Sequence, residues 1–508
     1  MLVTLSSARA LPVAIAAFAV ACQAATIPDP HVQGDPGRST PAVPATGPLS
    51  VDDAAAYLIG PIFVGDRAMS DLRQLVDAIG PRPAGSAGYR RASEWAVARF
   101  AAMGLEARLE AFTVSQGWKR GPIRARMVAP REQILRASSA GGSPATPGPG
   151  VRGQVVELAD ASPQAIRARA SELAGRMVLI DPQGIFKDGF TIGTTRLSRA
   201  YEPLRAAGVV AVLWPWGLRD DQFKGHLTFY SPGPIAPLPV VDISRADAAV
   251  LRELMAGGPV ELELVVENQI SGPFETANVV AEIRGREEPD QWVLVGAHLD
   301  TWDVTPGAQD NGTGVVQVLE AARAIKALPV PPRRSIRFIL WGAEEMDMLG
   351  SRAYAAAHES ELDDCVAVLN ADDGAGEPKG WQVNGRQDVA AALETPLGRL
   401  LAGLGGSERS LEVTGNSDHA PFWLRGVPAL NLWVDTSEYF SVHHLPGDTV
   451  DKVVPQRVVR AAAIVAVTAW ILADSPERLA PRFTTAQMEA LLREHDLLEI
   501  YRELGEFP

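Results

Sequence analysis

Apolar and polar positions alternate along the chain in a way that predicts interleaved helices and strands. The apolar positions from Tyr89 to Phe100 recur at helical spacing, which predicts an amphipathic helix that ends near Gly104. Farther on, the runs QWVLVGA, SIRFILW and VAVLN are apolar enough to be buried strands of a mostly parallel sheet. We therefore expect an α/β fold.

A second pattern lies between these two regions. Residues 139–153 are rich in Gly, Pro and Ser and predict an exposed loop. The segments GRMVLIDP, YEPLRAAG and VVAVLWPWG then predict a strand, a helix and a strand. This rhythm indicates a smaller α/β module inserted into the main domain.

The full prediction is a mixed, mostly parallel sheet flanked by helices, with an inserted smaller α/β domain. A charged segment near the end, MEALLREHDLLEIYREL, predicts one further helix. The expected boundaries are 51–117 and 269–475 for the main domain, 118–268 for the insert and 476–508 for the helical tail.

The first residues have the pattern of an export signal. Residues 11–21 form an uncharged apolar run, shorter than the roughly 20 residues of a membrane-spanning helix. Two processing routes stay open: cleavage before Cys22, which leaves a lipid anchor on that cysteine, and cleavage after Ala24. Residues 25–50 predict a flexible linker. We expect an exported protein, periplasmic or secreted, with no transmembrane span in the mature chain.

Charge and cysteine content narrow the classes of partner. The formal net charge is −14 and the pI is near 5.2, whereas nucleic-acid-binding surfaces are basic, so nucleic acid is excluded. Cys22 and Cys365 are the two cysteines, and we expect Cys365 to be a buried thiol without a disulfide partner. The sequence leaves the oligomeric state open, with a homodimer as one option.

Candidate chemistry appears where predicted strands end, because parallel sheets bind ligands beyond the carboxyl ends of their strands. His298 and Asp300 follow the first of these strands, and Asp310 precedes a predicted helix. Taken singly, His298 could be a structural histidine and Asp310 a helix N-cap. Glu344 and Glu345 are harder to dismiss, because adjacent acids repel each other unless a cation or a proton relieves the charge.

Two further segments offer metal-binding groups. Asp372 and Asp373 follow VAVLN, and His443 and His444 lie in a later loop. Oxygen and nitrogen donors with one shared carboxylate suit a pair of zinc ions. Such a pair polarises a carbonyl, activates water and stabilises the oxyanion. A carboxylate outside the ligand set is then needed to move the proton to the leaving amine.

Four motifs carry a family resemblance: HLDTWDVTPGAQDNGTG, LWGAEEMDMLGS, LNADDG and HHLPGDT. In this order they resemble the M28 family of zinc peptidases, and they are most similar to its carboxypeptidase Q branch. The resemblance covers about 273–474, together with the helix around GPRPAGSAGYRRASEWAVARF. The inserted module resembles a protease-associated domain, which the same branch carries.

The resemblance implies a role for each candidate residue. The implied ligands are His298 and Asp372 for one zinc ion, Glu345 and His444 for the second, and Asp310 as the bridge between them. Glu344 is the implied general base and, later, general acid. We expect Asp300 to accept the second ring hydrogen of His298. His443 is a candidate for contact with the oxyanion.

Two features depart from the resemblance. The segment SDHAPF, with Ser417, Asp418 and His419, is more similar to the shorter bacterial aminopeptidases of the family. It is either a helix cap or a support for the ligands. No set of basic residues marks a site for a substrate carboxylate, and Arg352 and Arg425 qualify only because they lie near motifs. We expect Asp373, which follows Asp372, to face solvent or a nearby loop.

The leading hypothesis is therefore a two-zinc exopeptidase that hydrolyses dipeptides or terminal peptide bonds. An aminopeptidase, which anchors a free N-terminal amine, is the alternative within the same chemistry. A catalytically inactive binding scaffold is the alternative from a different class. Lost ligands would mark a scaffold, and every ligand position is filled in this sequence.

Overall fold

The structure is a computed structural model that describes residues 49–216 and 223–508. The predicted signal, residues 1–24, and nearly all of the predicted linker lie outside these ranges, as does Cys22. Within them the chain forms two eight-stranded sheets and one two-stranded ribbon, with helices on the sheet faces. This architecture confirms the predicted mixed α/β class.

The strands are defined by their residue ranges. In chain order they are β1 (Ala107–Val114), β2 (Gly117–Lys119), β3 (Ile123–Ala129), β4 (Gln133–Leu135), β5 (Ala137–Ser139), β6 (Val151–Leu158), β7 (Met177–Ile180), β8 (Ala211–Trp214), β9 (Val240–Ile243), β10 (Glu261–Val266), β11 (Gln269–Ser271), β12 (Phe274–Ile283), β13 (Glu288–His298), β14 (Arg334–Trp341), β15 (Cys365–Asn370), β16 (Pro378–Gln382), β17 (Glu408–Ser410) and β18 (Ala429–Val434).

The helices are defined in the same way. They are α1 (Val51–Phe63), α2 (Arg67–Arg73), α3 (Ala87–Ala102), α4 (Pro163–Ala168), α5 (Ala170–Leu173), α6 (Pro182–Phe186), α7 (Phe190–Ala206), α8 (Arg245–Gly257), α9 (Thr313–Lys326), α10 (Leu349–Ala357), α11 (Gln387–Ala402), α12 (Ala420–Trp423), α13 (Ser437–Val442), α14 (Pro455–Asp474), α15 (Thr485–Glu494) and α16 (Leu498–Glu503).

The first sheet has the strand order β1-β12-β14-β13-β15-β18-β16-β17. Its centre is a parallel run, because β13 pairs parallel with both β14 and β15, and β15 pairs parallel with β18. Alternate residues of β13 enter different cores: Val293 and Val295 pack with α9 and α14, and Trp292 and Leu294 pack with the C-terminal helices. The parallel run places the ends of β13, β14 and β15 along one edge.

The second sheet, formed by strands between residues 123 and 266, has the order β4-β3-β10-β6-β7-β8-β9-β5. The strand predicted in GRMVLIDP is β7, and the predicted helix YEPLRAAG is the last part of the longer α7. The prediction of an exposed loop over 139–153 is wrong for its first part. Ser143 is fully buried, and its hydroxyl accepts a hydrogen bond from the backbone N–H of Val240 (2.9 Å).

A short ribbon lies where the chain passes between the two sheets. Strand β2 precedes the second sheet and β11 follows it, and the two pair antiparallel with each other. Both crossing segments are therefore held side by side by backbone hydrogen bonds.

The longest apolar helix lies inside the core. Helix α14 is the one helix of the described ranges that is long and apolar enough to cross a membrane, yet 78% of its apolar window is buried inside the fold. It packs against α1, α9 and the first sheet. The same composition is typical of a core helix in a folded domain, and burial accounts for it here.

The tail differs from its prediction in one respect. The segment predicted as a single helix is divided into α15 and α16, and Asp496 between them has a left-handed backbone (φ 57°). Asp is one of the residues that tolerate this conformation. The pattern of charged residues in the segment does not reveal the break. Cys365, as expected, is a buried free thiol.

Arg82 connects the region before α3 to the loop that follows β13. Its side chain is fully buried, and its guanidinium donates to the carbonyl oxygens of Leu299 (2.6 Å), Pro306 (2.7 Å) and Gly307 (3.0 Å). Its backbone N–H donates to the hydroxyl of Thr301 (3.0 Å). Burial lowers the pKa of Arg82 to about 10, so the group is still charged at neutral pH. One side chain thus fixes the backbone between His298 and Asp310.

We expect Arg82→Met to lower the free energy of unfolding by about 3–5 kcal/mol, because buried loop carbonyls lose their donor. Urea denaturation followed by circular dichroism measures the change. The control Arg90→Met, at an exposed position of α3, should stay within about 0.5 kcal/mol of the wild type. A loss below about 1 kcal/mol at Arg82 would show that the loop is held by other contacts.

Candidate metal centre

The three central strands of the first sheet deliver their carboxyl ends to one place. His298 ends β13 and lies in register with Trp341 at the end of β14, while Gly296 is in register with Asn370 at the end of β15. The acids after β14 and β15 therefore start beside His298. The structure brings all five of the predicted ligands, with Glu344, into one buried cluster.

One half of the cluster is centred on His298. Its Nε2 atom lies 3.0 Å from Oδ1 of Asp310 and 3.0 Å from Oδ1 of Asp372. The side chain of His298 is 1% exposed. These three groups place their donor atoms within 4.8 Å of one another, close enough to share one metal ion.

The other half uses the second oxygen of Asp310. Nε2 of His444 lies 3.0 Å from Oδ2 of Asp310 and 3.0 Å from Oε2 of Glu345. His443 stacks on His444, with ring centroids 3.6 Å apart, and its Nε2 is 3.3 Å from the same Asp310 oxygen. Asp310 thus belongs to both halves, and each half contains at least one histidine.

Asp300 accepts the second ring hydrogen of His298 through its backbone carbonyl and not through its carboxylate. Nδ1 of His298 donates to the backbone carbonyl of Asp300 (3.1 Å), and the nearer carboxylate oxygen is 3.7 Å away. The Asp300 carboxylate instead accepts the backbone N–H groups of Glu344 (3.1 Å) and Glu345 (3.3 Å). The carbonyl fixes the tautomer of His298, and the carboxylate holds the turn that carries the paired acids. Burial raises the pKa of Asp300 to about 7.

Asp310 does not cap a helix. Helix α9 begins three residues later, and the peptide bond between Asp310 and Asn311 is cis. The backbone N–H groups of Gln309 (2.7 Å) and Asp310 (3.0 Å) donate to the carboxylate of Asp448. Asp448, the acid of the HHLPGDT motif, thus supports Asp310, and only the folded chain shows this role.

The residues after β15 and in SDHAPF are also positioned by side-chain contacts. Ser417 donates a hydrogen bond to Oδ2 of Asp372 and caps no helix. Asp373 is half-buried and accepts a hydrogen bond from Asn431 (2.8 Å). Asp418 is buried, and neither of its carboxylate oxygens has a hydrogen-bond partner among the described residues.

Burial dominates the electrostatics of the cluster. It raises the pKa values of Glu344, Glu345 and Asp372, because a charged carboxylate is poorly solvated inside a protein. Burial acts on Asp310 in the same direction, but the adjacent rings of His298 and His444 outweigh it and lower the pKa of Asp310. Burial and the neighbouring His444 lower the pKa of His443.

Three buried carboxylate oxygens without partners among the described residues show that this set of donor atoms suits metal ions. Asp310 Oδ2, Glu345 Oε1 and Asp372 Oδ1 are inaccessible to solvent and have no hydrogen-bond partner in the described chain. Buried polar atoms are nearly always satisfied, so three such atoms in one cluster require an explanation. Carboxylate oxygens and imidazole nitrogens are ligands of zinc, and cations between them would satisfy all three atoms.

The segment between β8 and β9 also contributes to the cluster, which the sequence did not indicate. Gly225 accepts a hydrogen bond from Nδ1 of His444 (2.7 Å) and donates its N–H to the His444 carbonyl (2.9 Å). His444 is held in a left-handed conformation (φ 62°). Beside Gly225 lies Lys224, whose ammonium group acts electrostatically on Asp310 and Glu345, while burial lowers its pKa to about 8.

The two arginines that qualified by proximity are already paired. Arg352 donates to Glu506 (2.9 Å) and Asp347 (3.3 Å). Arg425 donates to Glu359 (2.7 Å) and to a backbone carbonyl. Neither guanidinium is therefore free to bind a substrate carboxylate.

Known proteins match this chain over most of its length. The family model for peptidase family M28 matches residues 278–469. Rat (Rattus norvegicus) carboxypeptidase Q is 31% identical over 434 residues, which cover 84% of this chain and 90% of the relative. Aminopeptidase YwaD of Bacillus subtilis (strain 168) is 26% identical over 439 residues, covering 84% and 89%.

A solved structure gives the same assignment. The crystal structure of a peptidase M28 precursor from Shewanella amazonensis SB2B aligns with a TM-score of 0.75 at 30% identity, covering 86% of this chain and all of that one. The sequence and structural matches span both the motif-bearing sheet and the segments around it. The chain therefore belongs to peptidase family M28.

Proposed function

We propose that the protein is a two-zinc exopeptidase that hydrolyses dipeptides or the terminal bond of peptides, in the manner of carboxypeptidase Q. The observation that carries the proposal is the pair of donor clusters that share Asp310 through its two oxygens. A single-metal enzyme needs no shared carboxylate, and one of the two donor clusters would then bind no metal ion. Similarity to carboxypeptidase Q supports the choice of an exopeptidase.

The distances between imidazole nitrogens and carboxylate oxygens assign each proposed ligand to one of two zinc ions. His298 and Asp372 would hold one zinc ion, and Glu345 and His444 would hold the other, with Asp310 between them. We prefer His444 to His443, because the ring of His444 lies within 3.0 Å of oxygens from both Asp310 and Glu345. The ring of His443 reaches Asp310 alone among these carboxylates, at a longer distance.

Two bound zinc ions would polarise the scissile carbonyl, lower the pKa of a water molecule and stabilise negative charge on the carbonyl oxygen. We assign Glu344 the proton transfer. Its carboxylate is buried beside the cluster, 4.0 Å from Nε2 of His298, and its backbone N–H is held by Asp300. The burial that raises its pKa makes Glu344 a better proton acceptor than an exposed glutamate.

His443 is proposed to contact the carbonyl oxygen of the substrate. Burial beside His444 keeps it neutral, and its Nδ1 atom has no hydrogen-bond partner within the described residues. A neutral ring that carries one N–H can donate to a developing oxyanion without competing for the metal ions. The stacked His444 holds the ring in place.

An aminopeptidase is the second candidate, and Asp418 is the observation that favours it. This buried carboxylate without hydrogen-bond partners interacts electrostatically with His298 and Asp372. A free N-terminal amine of the substrate could pair with such a group. The similarity to an aminopeptidase from Bacillus subtilis points the same way. An inactive scaffold has no comparable support, since no candidate ligand is missing.

We also propose the domain assignments of the chain. The second sheet would be a protease-associated domain inserted at 118–268 between the two parts of the peptidase domain, with 476–508 as a C-terminal tail. The ribbon of β2 and β11 supports these insertion points. The apolar residues 11–21 support export, so that the enzyme would act on peptides outside the cytoplasm.

The adjacent acids Glu344 and Glu345 allow a matched test of the zinc site. We expect Glu344→Gln to keep about two zinc ions per chain and to lose about 100- to 10,000-fold in kcat, because it removes only the proton acceptor. Glu345→Gln should lose about one zinc ion, because it removes a ligand. Metal analysis after gel filtration and dipeptide hydrolysis measure both effects. Full activity of Glu344→Gln would refute its role, and loss of zinc from it would make it a ligand.

The direction of cleavage is tested with blocked dipeptides. We expect the enzyme to hydrolyse an N-acetylated dipeptide and to reject the same dipeptide with an amidated C-terminus, as a carboxypeptidase does. Release of the C-terminal product by chromatography measures the rates. The opposite pattern would establish the aminopeptidase, and rejection of both substrates would mean that a dipeptide with two free ends is required.

A further inference from the structure

Lys224 is a cation beside the metal centre that has no assigned partner. It is half-buried at the end of the insert segment that contacts His444. Within the described residues its ammonium group makes no hydrogen bond and no ion pair, although it acts electrostatically on Asp310 and Glu345. Holding a lysine near a metal centre without a partner is costly unless another anion binds there.

The segment around Lys224 is held in a fixed position. Gly225 packs against the indole of Trp302 so closely that a Cβ at this position would lie 2.4 Å from the ring. Next to it, the His226 carbonyl accepts the N–H of Gly141 (2.7 Å), and the His226 ring binds Asp242 (2.9 Å). Contacts on both sheets therefore fix the backbone that carries Lys224.

Other cations near the cluster are not available in this way. The guanidinium of Arg82 donates to three loop carbonyls, and Arg120 forms an ion pair with Asp303 (2.9 Å). Lys224 differs from both because its charge acts on Asp310 and Glu345, and it has no hydrogen-bonding acceptor among the described residues. It is thus the side chain best placed to meet an anion that arrives with the substrate.

The charge of the loaded site favours an external anion. The three ligand carboxylates would be outweighed by two divalent zinc ions, so that the centre no longer holds surplus negative charge for the lysine. In a peptide cut at its last bond, the terminal carboxylate lies within about 3–5 Å of the scissile carbonyl, by standard bond lengths. That carboxylate falls within the span of a lysine whose neighbour touches His444.

We propose that Lys224 binds the C-terminal carboxylate of the peptide substrate and so selects free carboxyl ends. This rests on the proposed exopeptidase function and adds to it the residue, supplied by the insert, that sets the direction of cleavage. The class of ligand is an α-carboxylate attached to the residue that leaves.

The test compares Lys224→Met and Lys224→Arg with the wild type on three N-acetylated substrates. These are a dipeptide of neutral residues with a free carboxylate, its C-terminal amide, and an amidated dipeptide that ends in glutamate. Lys326→Met, at the exposed far end of α9, is the control for loss of one positive charge. Zinc content and circular dichroism establish that the variants are loaded and folded.

We expect Lys224→Met to lower kcat/KM for the free carboxylate about 10- to 100-fold, mainly through KM, because a charged hydrogen bond is lost. Lys224→Arg should retain most of the activity, and Lys326→Met all of it. Hydrolysis of the two amides should be poor in the wild type and unchanged by Lys224→Met. Calorimetry with N-acetylalanine and its amide provides a second readout: the acid should bind more tightly, and Lys224→Met should remove the difference.

Three results would overturn the proposal. An equal fall in kcat for free and amidated substrates would mean that Lys224 acts on the oxyanion. Efficient, Lys224-dependent hydrolysis of the amidated glutamate substrate would mean that a side-chain carboxylate is recognised. Unchanged kinetics and unchanged calorimetry in Lys224→Met would show that the lysine has no role. If the wild type shows no zinc-dependent hydrolysis, the proposed function fails, and calorimetry still decides the role of Lys224.

Discussion

The cost of burying several carboxylates side by side governs this structure. Asp310, Glu345 and Asp372 are nearly inaccessible to solvent and lie close enough for their charges to repel. His298, His444 and Lys224 are too few to neutralise them and Glu344 as well. Divalent cations would relieve the repulsion and satisfy the unpartnered oxygens, because charged groups inside a protein persist only when paired or bound to metal. The metal centre therefore follows from the energetics of the site as much as from its motifs.

The groups around the ligands serve to keep their backbone in place. Asp300 holds the N–H groups of the paired glutamates, Asp448 holds that of Asp310, and Arg82 holds the carbonyls of the loop between His298 and Asp310. Each of these side chains is buried. These bonds fix the backbone of the loops that carry the proposed ligands, as a two-metal site would require.

Much of this arrangement could be predicted from the sequence, because long apolar runs define central strands and the ligands follow them directly. The mixed α/β fold and the association of His298 with the later acids both depend on that pattern. The bond from Ser417 to Asp372, and the actual partner of His298 Nδ1, could not be predicted. They depend on contacts between segments far apart in sequence, and local patterns carry no information on which donor reaches which acceptor.

The contact between the insert and His444 is the clearest example of a contact that local sequence patterns cannot predict. Nothing in the composition around Lys224 and Gly225 marks them as neighbours of His444, which is more than two hundred residues away in the chain. Only the folded chain, in which the segment between β8 and β9 reaches His444, brings them together. If Lys224 binds the substrate carboxylate as we propose, the direction of cleavage, which the motifs leave open, depends on this contact between the insert and the metal centre.

An anomalous difference map, recorded from zinc-loaded crystals at the zinc absorption edge, tests the central claim most directly. The account predicts two peaks about 3.5–4 Å apart, with one oxygen of Asp310 bound to each and with His444 as a ligand in place of His443. A single peak, or two peaks that do not share Asp310, would contradict it.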